Sequence, residues 1–330
     1  MGIQPNVIIC RSDYEVTEGE SNKISLFCGV ERKAVIPLIT VSNIYEIPII
    51  LDDLDLGNLI VDGLKLPKTI SDLVDWKNMI SRMDLVEDAM PVAIVGKYAD
   101  LHDAYISVKE ALSHAALYHK CEVNVVWIPS ETLEENGADE SLSEISGIVV
   151  PGGFGARGVE GMIQTVKYVR ERGVPYLGLC LGLQVMVIEA ARSLLGLEDA
   201  NSTEFDASTS SPVIDLMADQ VGVANKGGTM RLGVYPCEIV KGSVTAKAYE
   251  ESVVMERHRH RFEFNNLFKE DLISIGLMPT GVSPDGRLVE IVEHQSHPFM
   301  AGTQFHPEFL SRPTKPHPMF QEFIGVSCTV

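Results

Sequence analysis

Short apolar runs alternate with amphipathic stretches along the middle of the chain, from about residue 91 to residue 180. Short apolar runs favour buried strands, whereas apolar positions three and four residues apart favour helices. The pattern predicts helices over Ala104–His119 and Met162–Glu171. It predicts strands over Val92–Val95, Val123–Ile128, Ile148–Val150 and Tyr176–Leu179. This alternation implies an α/β fold with a mostly parallel, doubly wound sheet and helices on both faces.

After about Val213 the pattern changes to shorter apolar runs separated by turn residues. These runs predict strands over Met230–Tyr235, Cys237–Val240, Leu272–Leu277, Leu288–Val292 and Met300–Phe305. We expect them to form an antiparallel extension and then to return to the main sheet. The glycine-rich stretch Asp219–Gly228 predicts a mobile loop.

The amino-terminal part of the chain has fewer elements. A strand is predicted over Asn6–Cys10, and a second apolar run covers Ile24–Cys28. Residues 1–63 are too few for a substantial core of their own, so we expect them to be the end of a larger domain. Residues 64–90 are expected to be a linker with one helix that Ser71 caps, and residues 91–330 the main domain.

Composition excludes several classes of partner. The formal charge of −19 argues against binding to nucleic acid or to an anionic membrane. Six cysteines without a C-x-x-C pair indicate reduced thiols in a cytoplasmic protein, not a disulfide framework or a zinc site. No apolar run approaches the roughly 20 residues of a membrane span, and the first residues do not resemble a signal peptide.

The segment Tyr176–Gln184 carries the first candidate for chemistry. Cys180 ends an apolar run, glycines stand two residues before and after it, and a helix is predicted over Gln184–Arg192. This is the pattern of a strand-to-helix elbow that exposes a nucleophile. The amino end of the following helix favours a thiolate. The alternative is an ordinary buried cysteine.

A second candidate is the stretch from Thr303 to Phe309. In an extended chain, side chains two residues apart share a face, so His306 and Glu308 are expected to point the same way. A histidine held by a carboxylate is the base and its orienting group in a catalytic triad. By itself this pattern also fits a surface turn.

Glycines follow the predicted strand at Ile148–Val150. Gly152 and Gly153 fit a simple turn, but they also offer unobstructed backbone N–H groups to an oxyanion. The N–H of Leu181, directly after the nucleophile, would be the second donor.

The order and spacing of PGGFG, GLCLGLQ and QFHPE resemble a class I, triad-type glutamine amidotransferase domain. Within that superfamily the chain resembles the CTP synthase family. The stretches that carry this likeness are Gly152–Gly161, Asn201–Phe205, Gly227–Gly233 and Glu256–Glu263, with Cys10–Asp13 and Leu26–Ile50 in the amino-terminal part. The resemblance implies a class I amidotransferase fold over 91–330, preceded by a partial α/β synthetase (P-loop-like) domain over 1–63.

In the family, ATP phosphorylates UTP, glutamine is hydrolysed in the second domain, and its ammonia displaces phosphate to give CTP. The resemblance implies that Cys180 forms the glutamyl thioester, that His306 passes protons and that Glu308 orients it. Backbone groups would come from Gly152, Gly153 and Leu181, and the substrate's amino and carboxylate groups would be held by Gln184, Glu204 and Arg261.

The resemblance also implies nucleotide sites. Phe154, Arg157 and Arg231 match the region where GTP activates glutamine hydrolysis. Positions that match UTP or ATP contacts in the amino-terminal part are Arg11, Lys23 and Val41.

Simpler interpretations of some of these residues stay open. Phe154 also fits a core position, and Glu204 fits a helix-capping box. The stretch Arg257–Arg261, with two histidines, fits a solvated basic patch or a two-histidine metal site that lacks a third ligand.

The sequence departs from the family at one important point. It contains no G-x-x-x-x-G-K-[ST] motif, and it begins where most of the synthetase domain would already have passed. The family implies ATP, UTP, Mg²⁺ and GTP, but no tightly bound cofactor is expected here and the site for ATP and Mg²⁺ is largely missing. The expected partners are glutamine, nucleotides, and full-length CTP synthase or a second copy of this chain. The alternative to an active glutaminase is a non-catalytic fragment that associates with full-length CTP synthase.

Overall fold

The computed structural model describes residues 2–83, 89–216 and 230–329, and the chain divides into two compact units. The first unit lies within residues 2–83, and the second comprises the described residues from 89 onward. The predicted loop over Asp219–Gly228 lies outside the described residues.

The first unit contains a pair of parallel strands with helices. Its elements are β1 (Ile8–Ser12), α1 (Glu18–Cys28), β2 (Val35–Ile39), α2 (Ile47–Asp53), α3 (Leu56–Leu64) and α4 (Val74–Met83). The predicted strand is present two residues later than expected, and the apolar run before Gly29 is helical because Thr17 and Glu20 form a capping box at the start of α1. The buried apolar cluster is small, built on Val30, Ala34 and Val35.

The helix expected in the linker, α4, packs within the first unit. The indole Nε1 of Trp76 donates a hydrogen bond of 2.7 Å to the carbonyl of Tyr45. The helix begins at Val74, whose N–H is accepted by the Asp72 carboxylate at 3.2 Å, so the predicted cap at Ser71 is too early.

The second unit begins with alternating strands and helices. These are β3 (Ala89–Gly96), α5 (Ile106–His119), β4 (Glu122–Pro129), α6 (Ser130–Asn136), α7 (Asp139–Leu142), β5 (Gly147–Val150), α8 (Val159–Arg172), β6 (Tyr176–Leu179) and α9 (Leu181–Leu194). The later elements are β7 (Asn201–Ser202), β8 (Pro212–Leu216), β9 (Arg231–Ile239), α10 (Val244–Tyr249), β10 (Val253–His260), β11 (Phe262–Phe264), α11 (Lys269–Ser274), β12 (Leu277–Val282), β13 (Val289–His294), β14 (Met300–Thr303) and α12 (Pro318–Ser327).

Among the described residues, nine strands form one sheet in the order β10-β9-β12-β13-β14-β6-β5-β3-β4. The strands from β14 to β4 are parallel, and those from β10 to β14 are antiparallel. The α/β fold with a parallel sheet is therefore confirmed. The return of β14 beside β6 places the chain after Thr303 next to the chain after Leu179.

Helices cover both faces of the parallel strands. Along β3, Ala93 and Val95 pack into one buried cluster with α8 and α9, whereas Val92 and Ile94 pack into another with α5 and α12. Val108, Ala111, Leu112 and Ala115 form part of the buried face of α5. No helix in the described ranges is both long and apolar enough to cross a membrane.

Several sequence expectations after Val213 differ from the structure. The two strands predicted over Met230–Tyr235 and Cys237–Val240 are one continuous strand, β9. The predicted strand over Leu272–Leu277 is wrong, because its first half lies in α11 and the next strand starts only at Leu277. A short apolar run fits either element, and here Leu272 is fully buried in the core cluster that includes α9. Strand β10 was not predicted, because exposed and buried positions alternate along it and three of its four buried residues, Glu256, His258 and His260, are polar.

Helix α9 approaches the sheet more closely than a side chain would allow. A Cβ added at Gly182 would lie 2.2 Å from the carbonyl oxygen of Val150 on β5, which is backbone and cannot yield.

We expect Gly182→Ala to lower the free energy of unfolding by about 3 kcal/mol, by overpacking against backbone. Urea unfolding measures this, with Ser193→Ala at an exposed position of the same helix as the control. Equal stability of the two variants would contradict the close approach.

Candidate active site

The turn between β6 and α9 holds Cys180 in an unusual backbone conformation, with φ 53° and ψ −95°. Positive φ is rare for a residue with a side chain and indicates strain. The neighbouring strand supports the turn, because the N–H of Cys180 donates to the carbonyl of Thr303 at 2.7 Å. The sharp strand-to-helix turn expected from the glycine pattern is therefore present, although α9 begins three residues earlier than predicted.

His306 and Glu308 are in contact, with 2.7 Å between His306 Nδ1 and Glu308 Oε1. The reason differs from the expected one. Glu308 does not lie on an extended segment but in a short 3₁₀ helix over Pro307–Phe309, which His306 precedes. The Glu308 carboxylate is 7% exposed, so the interpretation as a surface turn is wrong.

The charge on His306 depends on the groups around it. Burial disfavours the charged imidazole, but attraction and a hydrogen bond to Cys180, followed by the Glu308 carboxylate, raise the pKa of His306 to about 10. An imidazole beside the sulfur of a cysteine is the arrangement that nucleophilic cysteine catalysis requires.

Gly152 lies against both groups. A Cβ there would lie 2.7 Å from His306 Cε1 and 3.6 Å from the Cys180 Cβ, so a side chain would displace the imidazole. A Cβ at Gly153 would lie 3.1 Å from Leu181 Cδ2, which places the glycine loop beside the first residue of α9. The backbone of this loop and the start of α9 thus border the sulfur on one side.

A cavity of about 620 Å³ opens beside Cys180. Most residues predicted for the site line it: Gly152, Gly153, Phe154, Cys180, Gln184, Glu204, Arg261 and His306. Leu181 is buried beneath it at the start of α9. Side chains from widely separated parts of the sequence therefore meet at the carboxyl edge of the parallel strands, as expected for α/β sheets.

Two of the simpler interpretations are wrong. Phe154 is 72% exposed at the cavity, so it is not a core residue. Glu204 follows β7 in a turn and not at a helix start, and its Oε1 accepts the N–H of Gly155 at 2.8 Å. This contact fixes one end of the glycine loop.

Lys97 is a buried residue that sequence reasoning missed. Its ammonium donates to the carbonyl of Phe154 at 3.0 Å and also to that of Gly155. Burial lowers the pKa of Lys97 to about 8, against the attraction of Glu204. Its position directly after β3, on the same edge as Cys180, was the available clue.

The site also contains a buried amide, that of Gln304, to which the sequence pattern assigned no role. Gln304 is fully buried, and its Nε2 donates to the Cys180 sulfur at 3.7 Å. Its Oε1 accepts from Gln184 Nε2 at 3.4 Å, and the same Gln184 nitrogen donates to the carbonyl of Phe262 at 3.2 Å. The sulfur therefore has an amide donor in addition to His306.

The two arginines predicted for GTP activation lie in different surroundings. Arg157 donates to the Lys97 carbonyl at 2.9 Å, pairs with Glu131, and lies over the ring of Tyr98. Arg231 is 9% exposed and pairs with Glu290 at 2.9 Å and Glu263 at 3.3 Å. The structure does not bring Arg231 to the cavity.

The stretch Arg257–Arg261 is neither a uniform basic patch nor a metal site. Arg257 and Arg259 are exposed, whereas His258 and His260 are buried and 2.9 Å apart. Burial and the nearby Arg231 lower the pKa of His258 to about 2. Within the described ranges there is no group of three or more His, Cys, Asp or Glu side chains that could hold a metal ion.

The residues predicted to contact UTP or ATP lie in the first unit. Arg11 is on β1, paired in register with Leu38 of β2, and Val41 follows the end of β2. Both are therefore near the carboxyl edge of this parallel pair. Lys23 is exposed on α1.

Cys180 raises the pKa of His306 both by attraction and by a hydrogen bond, and a substitution at Cys180 removes both. We expect Cys180→Ala to lower the pKa of His306, followed through the imidazole signals in an NMR titration. Cys28→Ser, at an exposed thiol of the first unit, is the control and should leave the titration unchanged.

The raised pKa of His306 also determines the direction in which stability changes with pH. Because the folded-state pKa lies above the ordinary value of about 6.5, the charged imidazole stabilises the fold below that value. This contribution is lost as the pH rises through about 10, and the loss should be smaller in Cys180→Ala. An unchanged His306 midpoint in that variant would show that the sulfur does not charge the imidazole.

Comparison with known proteins identifies the two parts of the chain. Residues 100–326 match the family described as glutamine amidotransferase class-I, and residues 1–66 match the family described as CTP synthase N-terminus. The glutaminase domain of Trypanosoma brucei CTPS with bound acivicin aligns with a TM-score of 0.69 at 38% identity. That alignment covers 73% of this chain and 94% of the solved chain.

Curated relatives match over nearly the whole sequence. A CTP synthase of Dehalococcoides mccartyi is 53% identical over 327 residues, which cover 99% of this chain and 60% of the relative. A CTP synthase of Roseiflexus sp. is 51% identical over 328 residues, with 99% and 59% covered. This chain therefore spans about 60% of the length of these relatives. It belongs to the CTP synthase family and carries that family's class I glutamine amidotransferase domain.

Proposed function

We propose that this chain hydrolyses glutamine through a Cys180–His306–Glu308 triad and releases ammonia for the amination of UTP. The observation that carries the proposal is the geometry beside the 620 Å³ cavity: Cys180, held at positive φ, lies next to an imidazole whose pKa is raised to about 10. The Nδ1 contact of 2.7 Å to Glu308 supports the orienting role of that carboxylate.

The first half of the reaction forms a thioester. The Cys180 sulfur attacks the carbon of the side-chain amide, and the negative oxygen of the tetrahedral intermediate lies against the backbone N–H groups of the glycine loop and Leu181. His306 gives its proton to the amide nitrogen, the C–N bond breaks, and ammonia leaves. Gly152 supports this geometry, because a side chain there would meet the imidazole.

The second half removes the glutamyl group. His306, now neutral, takes a proton from water, whose oxygen attacks the thioester carbon. The C–S bond breaks, and glutamate and the Cys180 thiolate are released. The amide donor of Gln304, 3.7 Å from the sulfur, supports the return of this negative charge.

Recognition of glutamine falls to polar groups on the cavity wall. A carboxylate at Glu204 suits the substrate's ammonium, and the Arg261 guanidinium suits its α-carboxylate. Gln184 offers an amide on the same wall.

We further propose that the rim of the cavity binds a purine nucleotide that activates the reaction. Phe154 presents an exposed ring 6.4 Å from that of Tyr98, and Arg157 lies beside Tyr98. The two rings suit stacking against the purine base, and the Arg157 guanidinium suits a phosphate group. The buried ion pairs of Arg231 remove it from the proposal.

The amination of UTP with ATP rests on likeness to the family. No group of three or more potential metal ligands occurs in the described ranges, and the sequence has no P-loop motif, so the residues present do not fit Mg²⁺–ATP. Arg11, Lys23 and Val41 stay predictions for nucleotide contacts, and the cytoplasmic location expected from the cysteines stays one too.

The first test follows glutamate release from glutamine by the purified chain, with and without GTP. We expect turnover that Cys180→Ala lowers by at least about 10³-fold, because the covalent nucleophile is lost. Cys28→Ser, matched in residue type but in the first unit, should retain it. Absence of turnover in the folded wild-type chain would favour the non-catalytic fragment.

A second test separates substrate binding from chemistry. Glu204→Gln keeps an oxygen that accepts the Gly155 N–H but removes the charge proposed to hold the substrate's ammonium. We expect KM for glutamine to rise about tenfold or more with kcat within a few-fold of the wild type. The control is Glu198→Gln, an exposed carboxylate on the preceding loop. A fall in kcat alone would assign Glu204 only to the support of the glycine loop.

A further inference from the structure

Two cysteines far apart in sequence meet at the amino-terminal edge of the main sheet. The sulfur atoms of Cys121 and Cys328 are 3.1 Å apart, although 207 positions separate them in the chain. Cys328 is exposed and Cys121 is partly buried. The sequence pattern, with no C-x-x-C pair, had indicated only scattered reduced thiols.

Each cysteine lies at the end of a helix. Cys121 follows Lys120, the left-handed residue that ends α5, and its N–H donates to Ala116 at 3.0 Å. Cys328 caps α12, with its N–H donating to Ile324 at 2.9 Å. Neither cysteine is therefore on a free loop.

The two helices are packed together, so the thiols are held close by the fold. His119 Nε2 lies 2.8 Å from the carbonyl of Gln321, and a Cβ at Gly325 would lie 2.9 Å from the His119 ring. Phe323 and Ile324 of α12 are fully buried in the cluster that α5 shares. A disulfide requires an S–S distance near 2.05 Å, so closing the contact needs a shift of about 1 Å.

We propose that Cys121 and Cys328 are a redox-active thiol pair that a low-molecular-weight disulfide oxidises to an intramolecular disulfide. In the first step the exposed Cys328 thiolate attacks one sulfur of the small disulfide, which forms a mixed disulfide and expels one small thiolate. In the second step the Cys121 sulfur loses its proton and attacks the Cys328 sulfur, and the second small thiolate leaves. Two protein thiols are oxidised and one disulfide is reduced to two thiols.

The different environments of the two thiols determine which of them attacks first. Burial and the neighbouring Cys328 raise the pKa of Cys121 to about 12, so this thiol stays protonated while the exposed one reacts. Closure of the mixed disulfide should therefore accelerate as the pH rises.

The bond would form away from the candidate active site. Cys121 precedes β4 and Cys328 follows α12, whereas Cys180 follows the carboxyl end of β6. The inference does not depend on the proposed glutaminase activity, and we expect oxidation to change stability and not the chemistry at Cys180.

The experiment incubates the folded chain with oxidised glutathione, blocks remaining thiols with iodoacetamide, and maps peptides by mass spectrometry without reduction. We expect a peptide pair joined at Cys121 and Cys328, with the loss of two hydrogen atoms. The oxidised protein should melt several degrees higher, because the bond closes a very long loop in the unfolded chain.

Variants separate this pair from general thiol reactivity. Cys121→Ser should trap glutathione on Cys328, and Cys328→Ser should leave Cys121 reduced. Cys28→Ser, which removes another exposed thiol, should still form the bond. A lasting mixed disulfide on Cys328 in the wild type, or a joined pair only after denaturation, would overturn the proposal.

Discussion

The close approach of helix α9 to the parallel strands is the constraint on which the candidate site depends. Added side chains at Gly178 and Gly182 would lie 2.6 Å and 2.2 Å from backbone atoms, and one at Gly302 would lie 2.9 Å from the backbone of Leu183. The helix can therefore start directly after β6, with no connecting residues except Cys180. Strain at such a residue costs about 1–3 kcal/mol and persists only where surrounding packing imposes it.

Once that approach is fixed, the strand order determines what faces the sulfur. Strands β5 and β14 flank β6 in parallel, so the segments after Val150 and Thr303 emerge on either side of Cys180. The segment after Val150 contains Gly152, which leaves room for the imidazole. The segment after Thr303 supplies Gln304 and His306. Backbone topology thus brings Cys180 and His306 to one edge of the sheet, and the Glu308 contact orients the histidine there.

The sequence predicted those parts of this arrangement that local patterns specify. The bounds of β6, the elbow and the contact of His306 with Glu308 follow from apolar runs, glycine spacing and proximity along the chain. Groups that depend on distant partners were missed or misplaced. Lys97 satisfies carbonyls some 57 residues away, and Arg231 pairs with carboxylates on two other strands. A charged residue shows no local sign of such pairing, so β10, most of whose buried positions are polar, was not recognised either.

The buried histidines show how the same side chain is given opposite properties within one sheet edge. His306 faces Cys180 and Glu308, and its pKa is raised to about 10 despite burial. His258 lies on β10, where burial and the positive Arg231 disfavour its charged form, and its pKa falls to about 2. The two are close enough that a charge on His306 further disfavours one on His258. In the proposed mechanism this difference matters, because a second basic imidazole near the sulfur would compete for the proton that ammonia must receive. The buried Arg231 thus has a physical effect on the site through His258, whose positive charge it disfavours.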